Sequence, residues 1–247
     1  YSVQYLRNEY GRLKDEIETI SNKKISDRDL YASISIFNLN RKLLRKLYEI
    51  KKTTPWLISI NEAYALTALG GMIPREEHNN LLKKVLPMIE KRKAKEQDRI
   101  RVVFEGGFCE QPPLDMLRSV GRTCYVVDDD LLIGLRWILH DIVPDGDPLR
   151  ALAEAYIEDS SYSPVQHDLR KPKEKMLLKR INNSGAEAAI ITAAKMCEPG
   201  LEEQVAYTRT LDEHDFPYFV SEFEENMTSF DHLEIQLETF IENIIFD

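Results

Sequence analysis

A pattern repeated in the second part of the chain constrains the fold most: an apolar run, then a loop, then a helical segment. The sharpest case is the run at residues 188–193, which ends in the loop Lys-Met-Cys-Glu-Pro-Gly before a helical pattern begins at Leu201. Short apolar runs bounded by turn residues are typical of strands, and strands that alternate with helices form parallel sheets. The loop after such a strand lies at the carboxyl edge of the sheet, where open α/β folds bind ligands.

The pattern predicts four strands, and the segments between them predict helices that cover both faces of the sheet. The predicted strands are residues 100–105, 123–128, 187–193 and 218–223, and the predicted helices are residues 114–120, 131–139, 201–214 and 229–246. A longer helical insert, at residues 148–158 and 172–180, separates the second strand from the third. With right-handed crossovers, this order gives a Rossmann-like or flavodoxin-like four-stranded parallel sheet. Neither a Gly-x-Gly-x-x-Gly motif nor a Walker loop is present, so the chain is not expected to hydrolyse ATP itself.

Residues 1–97 are predicted to form a helical segment that precedes the Rossmann-like domain, residues 98–247. A capping box at Ser26 and Asp29 begins a long amphipathic helix that runs to about residue 51. The helix is expected to end before Pro55, because the residue that precedes a proline disfavours helical geometry. Shorter helices are predicted at residues 61–69 and from Pro74 onwards.

The two parts of the chain carry opposite net charge. Residues 1–97 hold 19 basic and 12 acidic side chains, a net +7, whereas residues 98–247 hold 14 and 30, a net −16. The simpler interpretation is that the two parts attract each other, and the alternative is a basic surface for an anionic, phosphate-bearing ligand. Nucleic acid is not an expected partner, because the basic residues are not interleaved with aromatic ones in a known binding motif.

No apolar run is long enough to span a membrane, and three unevenly spaced cysteines favour a reducing cytoplasm.

Two of the cysteines follow predicted strands and are expected to share the carboxyl edge of the sheet. Cys109 and Cys197 are each followed by a glutamate, and a proline comes within two residues after it. Two thiolates suggest a soft-ligand metal site but cannot complete a set of four ligands. An inert loop cysteine is the alternative for Cys197. Cys124 opens the second strand at the opposite edge and is expected to be a buried apolar cysteine.

Acidic side chains also occur at the predicted carboxyl edge. Three consecutive aspartates, residues 128–130, could bind a hard cation or an amine, or could be ordinary loop and helix-start residues. Glu110 and Glu198, next to the two cysteines, could act as general acid or base in a dry pocket, because burial raises the pKa of a carboxyl group. They could equally hydrogen-bond to backbone amides. The histidines lack the spacing of a ligand set and are expected to be surface or packing residues, among them His140, His167 and His214.

Five motifs that appear in this order resemble a known family. They are Gly-Gly-Phe-Cys-Glu-Gln-Pro-Pro at 106–113, Val-Val-Asp-Asp-Asp-Leu-Leu at 126–132 with Arg-Trp at 136–137, Asp-Gly-Asp-Pro-Leu at 145–149, Lys-Met-Cys-Glu-Pro-Gly at 195–200 and Glu-Phe-Glu-Glu at 222–225. Together they resemble subunits of the benzoyl-CoA reductase and 2-hydroxyacyl-CoA dehydratase family (2-hydroxyglutaryl-CoA dehydratase D-component). The similarity covers nearly the whole chain and is closest to the smaller cluster-bearing subunit of benzoyl-CoA reductase.

The resemblance implies an enzyme subunit that pairs with a homologous partner subunit and holds a 4Fe-4S iron–sulfur cluster through cysteines. A separate ATP-hydrolysing iron–sulfur activator would deliver low-potential electrons one at a time. The substrate would be an acyl-CoA thioester, whose carbonyl accepts an electron to give a ketyl-type radical. The reductases dearomatise a ring and the dehydratases expel a hydroxyl group. A non-catalytic iron–sulfur electron-transfer paralogue is the alternative.

In this family, Cys197 matches the C-terminal cluster cysteine, and Cys109 matches a motif position. The remaining cluster cysteines are expected in an N-terminal α/β domain before Tyr1, of which residues 1–97 would be only the helical end. We therefore expect these 247 residues to fold on their own, but to hold no stable cluster and to be inactive alone.

Overall fold

A four-stranded, all-parallel sheet forms the centre of the second part of the chain. The computed structural model describes residues 2–106, 110–131, 139–159, 170–224 and 226–246. The strands are β1 (Arg101–Glu105), β2 (Tyr125–Asp129), β3 (Ala188–Ala194) and β4 (Tyr218–Phe223), and they lie in the order β2-β1-β3-β4. Each strand lies within two residues of its predicted bounds, and the predicted α/β fold class is confirmed.

Helices precede the sheet and connect its strands. The helices before the sheet are α1 (Ser2–Ser21), α2 (Asp27–Thr53), α3 (Ile60–Ala68) and α4 (Arg75–Glu90). Those that follow β1 are α5 (Leu114–Thr123), α6 (Pro148–Glu154), α7 (Lys173–Ser184), α8 (Glu198–Glu213) and α9 (Asp231–Phe246). The predicted insert corresponds to α6, the π-helical turn Ala155–Asp159 that follows it, and α7. Most of the helix predicted at 131–139 lies outside the described residues.

The long helix α2 begins as its sequence predicts. The Ser26 hydroxyl accepts the N–H of Asp29, and the Asp29 carboxylate accepts the N–H of Ser26 at 2.8 Å, which completes the capping box. The helix ends at Thr53, before Pro55. A second capping box, formed by Ser59 and Glu62, begins α3.

Side chains of the sheet alternate between two cores, as the pleat of a strand requires. On one face, β1 and β3 pack against α5 and α9 through Val102, Phe104, Ile190, Leu117, Val120, Leu233 and Leu237. On the other face, the same strands pack against α7 and α8 through Val103, Ala189, Ile191, Leu177, Ile181, Tyr207 and Leu211. Both faces of the sheet are therefore covered by helices.

Ion pairs join the basic first part of the chain to the acidic second part. Arg7 contacts Asp147 at 2.8 Å, Arg45 contacts Asp141 at 2.6 Å, and Lys51 of α2 pairs with Asp129 of β2. These contacts support the simpler interpretation of the charge asymmetry, in which the two parts attract each other. The division of the chain near residue 97 stays a prediction. None of the described helices is both long enough and apolar enough to cross a membrane.

An amide–imidazole cluster, joined by the guanidinium of Arg75, fixes α2 against α4. The Asn40 amide donates to His78 Nδ1 at 2.9 Å and to Asn79 Oδ1 at 2.8 Å, and it accepts from Arg75 Nη1 at 2.9 Å. His78 is fully buried, and its Nε2 lies 2.8 Å from the backbone oxygen of Leu66. Burial lowers the pKa of His78. The imidazole is therefore neutral, with its proton on Nε2 facing Leu66 and its Nδ1 accepting from Asn40.

Candidate functional site

The strand order reverses between β1 and β3, at the middle of the sheet. From β1 the chain continues to β2 on one side, and from β3 it continues to β4 on the other. Open α/β sheets bind ligands in the crevice that such a reversal of strand order creates. Cys197 lies in the loop after β3. Cys109 follows β1 in sequence but lies outside the described residues.

Cys197 is held firmly between β3 and α8. Its N–H donates to the oxygen of Ala194 at 3.0 Å, and its own carbonyl accepts the N–H of Leu201 at 3.0 Å, which begins α8. Its side chain is buried, with 7% of the residue exposed. Met196 before it adopts a left-handed conformation (φ 67°), and a Cβ built on Gly200 would lie 3.2 Å from Cys197 Sγ. The local backbone thus sets the position of the thiol and leaves little space beside it.

Gly106 begins the loop after β1, and no other residue fits there. Its φ is +134°, and a Cβ would lie 2.2 Å from the hydroxyl and 2.5 Å from the carbonyl oxygen of Thr192 on β3. Its N–H donates to Asp130 Oδ1 at 2.9 Å. Gly106 is therefore fixed on two sides, against β3 by close backbone approach and to Asp130 after β2 by a hydrogen bond.

An ionic cluster of Glu105, Asp128, Asp130 and Arg180 lies beneath this edge. Arg180 of α7 pairs with Glu105 at the end of β1, and its Nε lies 3.3 Å from Asp128 Oδ2. Glu105 is almost completely buried, and desolvation raises its pKa well above the ordinary value although Arg180 opposes the shift. Burial likewise raises the pKa of Asp130 to about 6. The cluster therefore keeps carboxyl groups next to the crevice that hold protons more tightly than exposed ones do.

The remaining aspartate of the run is bound separately, by the helical segment. Lys51 pairs with Asp129 in a site where the two side chains are 3% and 5% exposed. The Tyr48 hydroxyl donates to the other oxygen of Asp129 at 2.8 Å. The sequence leaves open whether the aspartates at 128–130 bind an external cation or amine or are ordinary loop residues. Two of them instead lie within β2, where the cations that they bind are the chain's own Arg180 and Lys51. Sequence reasoning missed Lys51, Glu105 and Arg180, because no local pattern sets them apart.

Cys124 lies at the other edge of the sheet, as predicted. It directly precedes β2, and only 1% of it is exposed. Burial raises the pKa of its thiol to about 12, so the thiol is neutral near pH 7. The prediction of a buried apolar cysteine, far from the edge that carries Cys197, is confirmed.

Glu110 and Glu198 are both exposed in this chain. Glu198 is the first residue of α8, directly after Cys197. Since neither carboxylate lies in a dry pocket of the described residues, their role as general acid or base stays a prediction. His140 and His214 are exposed, as expected, and His214 Nδ1 lies 2.8 Å from the oxygen of Thr210. His167 lies outside the described residues.

The described residues do not form a complete metal site. Within them, no group of three or more His, Cys, Asp or Glu side chains is arranged to hold a metal ion. The chain has three cysteines, and Cys124 lies at the wrong edge. Cys197 and Cys109 can therefore supply at most two of the roughly four ligands that an iron–sulfur cluster needs.

Comparison with known proteins yields one family and several enzyme subunits. A benzoyl-CoA reductase subunit of Thauera aromatica is 34% identical over 242 residues, which cover 97% of this chain and 63% of that protein. Lactoyl-CoA dehydratase subunit beta of Anaerotignum propionicum is 27% identical, over 97% of this chain and 64% of that protein. The beta subunit of (R)-2-hydroxyglutaryl-CoA dehydratase of Acidaminococcus fermentans is 20% identical, over 98% and 64% respectively.

These relatives confirm the resemblance seen in the five sequence motifs. The chain spans 63–64% of the length of each of the three. The family model described as 2-hydroxyglutaryl-CoA dehydratase, D-component, matches residues 1–244. The chain therefore belongs to the 2-hydroxyglutaryl-CoA dehydratase D-component family.

Proposed function

We propose that this chain is part of the iron–sulfur subunit of a benzoyl-CoA reductase-type enzyme, which passes low-potential electrons to an aromatic acyl-CoA thioester. The observation that carries the proposal is the fixed, buried thiol of Cys197 at the carboxyl edge of the sheet, where the strand order reverses. The 34% identity to the benzoyl-CoA reductase subunit supports the reductase over other members of the family.

In this proposal Cys197 and Cys109 are thiolate ligands, and the rest of the ligand set comes from outside these 247 residues. The bound cluster would supply one-electron chemistry at low potential. The chain's own contribution is to position the two proposed ligands. The first turn of α8 holds Cys197, and the hydrogen bond from Gly106 to Asp130 fixes the residue at which the Cys109 loop begins. Helices cover both faces of the sheet that supports these two positions.

Glu110 and Glu198 are the proposed proton donors and acceptors. Adding electrons to a ring, or expelling a hydroxyl group, requires protons, and each carboxylate directly follows one of the two proposed ligands in sequence. Because Glu198 is exposed in this chain, the substrate or a homologous partner subunit would have to cover it in the assembled enzyme. An ATP-hydrolysing activator completes the proposed set of partners.

Two matched cysteine variants test the ligand assignment in the full-length protein. Both cysteines are buried, so Cys197→Ser and Cys124→Ser remove similar groups from similar surroundings. Under anaerobic conditions, we expect Cys197→Ser to lose most of its iron and sulfide, and Cys124→Ser to retain the wild-type content. Equal iron in the wild type and the Cys197 variant would refute the assignment.

The 247 residues alone provide a second test. We expect them to fold, but to form no cluster that survives chromatography after reconstitution with iron and sulfide. A stoichiometric, stable cluster would show that the complete ligand set lies within these residues.

The 27% identity to lactoyl-CoA dehydratase subunit beta favours a second candidate, a subunit of a 2-hydroxyacyl-CoA dehydratase. Assaying the complete complex with its activator against benzoyl-CoA and a 2-hydroxyacyl-CoA distinguishes the two. Turnover of benzoyl-CoA supports the reductase, and turnover of the hydroxyacyl thioester alone supports the dehydratase. A complex that binds the cluster but consumes neither thioester would instead be the electron-transfer paralogue.

A further inference from the structure

A pocket of about 370 Å³ opens at the amino edge of the sheet, opposite the edge that carries Cys197. It lies where the helical segment meets β2, and its volume is within the range of pockets that bind small molecules. The residues that matter for its chemistry are Trp56, Lys95, Gln97, Arg99, Cys124 and Tyr125. The function proposed above uses none of them.

The charged side chains that line this pocket are basic. The chain has a net charge of −9, yet Lys51, Lys95 and Arg99 line the pocket and no described aspartate or glutamate does. Lys51 is neutralised by Asp129. Arg99 donates one hydrogen bond, to the backbone oxygen of Gly121 at 2.8 Å, and within the described chain neither Arg99 nor Lys95 forms an ion pair. Two cationic groups without a carboxylate partner therefore face one cavity.

Aromatic side chains supply the other wall. The rings of Trp56 and Tyr125 meet edge to face, with centroids 6.4 Å apart, and Arg99 lies over the Tyr125 ring at 5.6 Å. The Tyr125 hydroxyl accepts the N–H of Gln97 at 2.8 Å, which fixes the ring to the segment that carries both cations. Tyr125 is buried, whereas Trp56 is only half-buried and leaves part of its ring open to the pocket.

The floor of the pocket is neutral. Cys124 contributes a thiol whose pKa burial raises to about 12, so no thiolate offsets the two cations near neutral pH. A flat aromatic surface beside two unneutralised cations matches a ligand that joins a planar ring to an anion. Two cations suit a phosphate, which carries up to two negative charges, better than a carboxylate, which carries one.

We propose that this pocket binds a nucleoside phosphate, with the base against Trp56 and the phosphate between Lys95 and Arg99. The same chemistry has two sources, a free nucleotide and the nucleotide half of coenzyme A. ADP represents the first, and 3′-phospho-ADP represents the second.

Calorimetric titration of the full-length protein with ADP, 3′-phospho-ADP and inorganic phosphate tests the proposal. We expect at least one nucleotide to bind, and inorganic phosphate to bind at least tenfold more weakly because it lacks the base. Stronger binding of 3′-phospho-ADP than of ADP indicates coenzyme A as the source, and equal or weaker binding indicates a free nucleotide. No binding of either nucleotide, or equal affinity for inorganic phosphate, overturns the proposal.

Matched variants locate the site. Lys95→Gln is expected to weaken nucleotide binding about tenfold through loss of a charge-assisted hydrogen bond. Lys93→Gln removes the same charge two residues away, outside the pocket lining, and should change affinity less than twofold. Trp56→Leu should also weaken binding about tenfold, through loss of ring stacking. Both lysines are exposed, so neither change endangers the fold. If Lys95→Gln and Lys93→Gln lower the nucleotide affinity equally, the nucleotide is attracted by the basic surface in general and not by this pocket, which overturns the proposal.

Discussion

Two buried polar clusters of this molecule are built from opposite chemistry. In the amide–imidazole cluster of α2 and α4, the Asn40 side chain uses both of its donors and its acceptor. In the ionic cluster at the carboxyl edge, Glu105 Oε2 and Arg180 Nη2 are buried without a hydrogen-bond partner among the described residues. A cluster whose polar groups are all paired fixes helix packing at little cost, whereas buried charges cost desolvation energy that pairing offsets only in part. The ionic cluster, whose buried charges cost desolvation free energy, is the one that lies next to the candidate site.

The largest expected effect comes from breaking the ionic cluster at its centre. Arg180→Met leaves Glu105 and Asp128 without their cation in a buried site, and should lower the free energy of unfolding by about 3–5 kcal/mol at pH 7. Urea denaturation measures the loss. As a control, Arg209→Met removes an arginine whose ion pair with Glu213 is exposed, and should cost less than about 0.5 kcal/mol.

A double variant decides whether the uncompensated charge is responsible. Adding Glu105→Gln to Arg180→Met should restore a substantial part of the lost stability, because a buried glutamine requires neither a cation nor a bound proton. If the double variant is as unstable as the single one, lost packing of the arginine side chain explains the effect.

The amide–imidazole cluster should respond less strongly. Asn40→Ala leaves His78 and Asn79 each short of one buried hydrogen bond, and is expected to cost about 2 kcal/mol. Asn182→Ala, at an exposed position in α7, is the matched control and should change stability by less than about 0.5 kcal/mol. A loss for Asn40→Ala as large as that for Arg180→Met would contradict the distinction between the two clusters.

The smallest expected effect is a difference in pH dependence. Because the pKa of Asp130 is raised to about 6 from its ordinary 3.8, the folded chain binds more protons than the unfolded chain between these values. The Asp130 contribution to stability therefore falls as the pH rises from about 4 to 6. His78 acts in the opposite direction: its lowered pKa keeps it neutral in the folded chain, so stability falls as the pH drops below the ordinary value of 6.5.

Denaturation curves of the wild type, Asp130→Asn and His78→Gln between pH 4 and 7 measure both contributions. The stability difference between wild type and Asp130→Asn should shift in favour of the variant as the pH rises from about 4 to 6. The difference between wild type and His78→Gln should shift in favour of the wild type. Curves that stay parallel across this range would contradict both assignments.

Local signals predicted most of the fold, and long-range partners could not be predicted. The capping box at Ser26 and the apolar run that forms β3 depend on neighbouring residues, so one sequence suffices to find them. Arg180 lies in an amphipathic helix 75 residues from Glu105, and nothing near it in sequence distinguishes it from a surface arginine. The placement of Cys197 was predictable because it depends only on a strand that ends and a helix that begins. The exposure of Glu198 was not, since it depends on what packs over the edge.

The attachment of Tyr48 and Lys51 to Asp129 also has a consequence for the order of events in folding. These contacts join positions that are 81 and 78 residues apart, so a long loop must close before they can form. The helices α2 and α4, whose core lies within residues 44–89, can pack together before that closure. The contact between α2 and β2 is therefore expected to form late, and Lys51→Met should speed unfolding while leaving the refolding rate nearly unchanged. In that sequence of events, the end of β2 that carries Asp129 is among the later parts of the described chain to take its final shape.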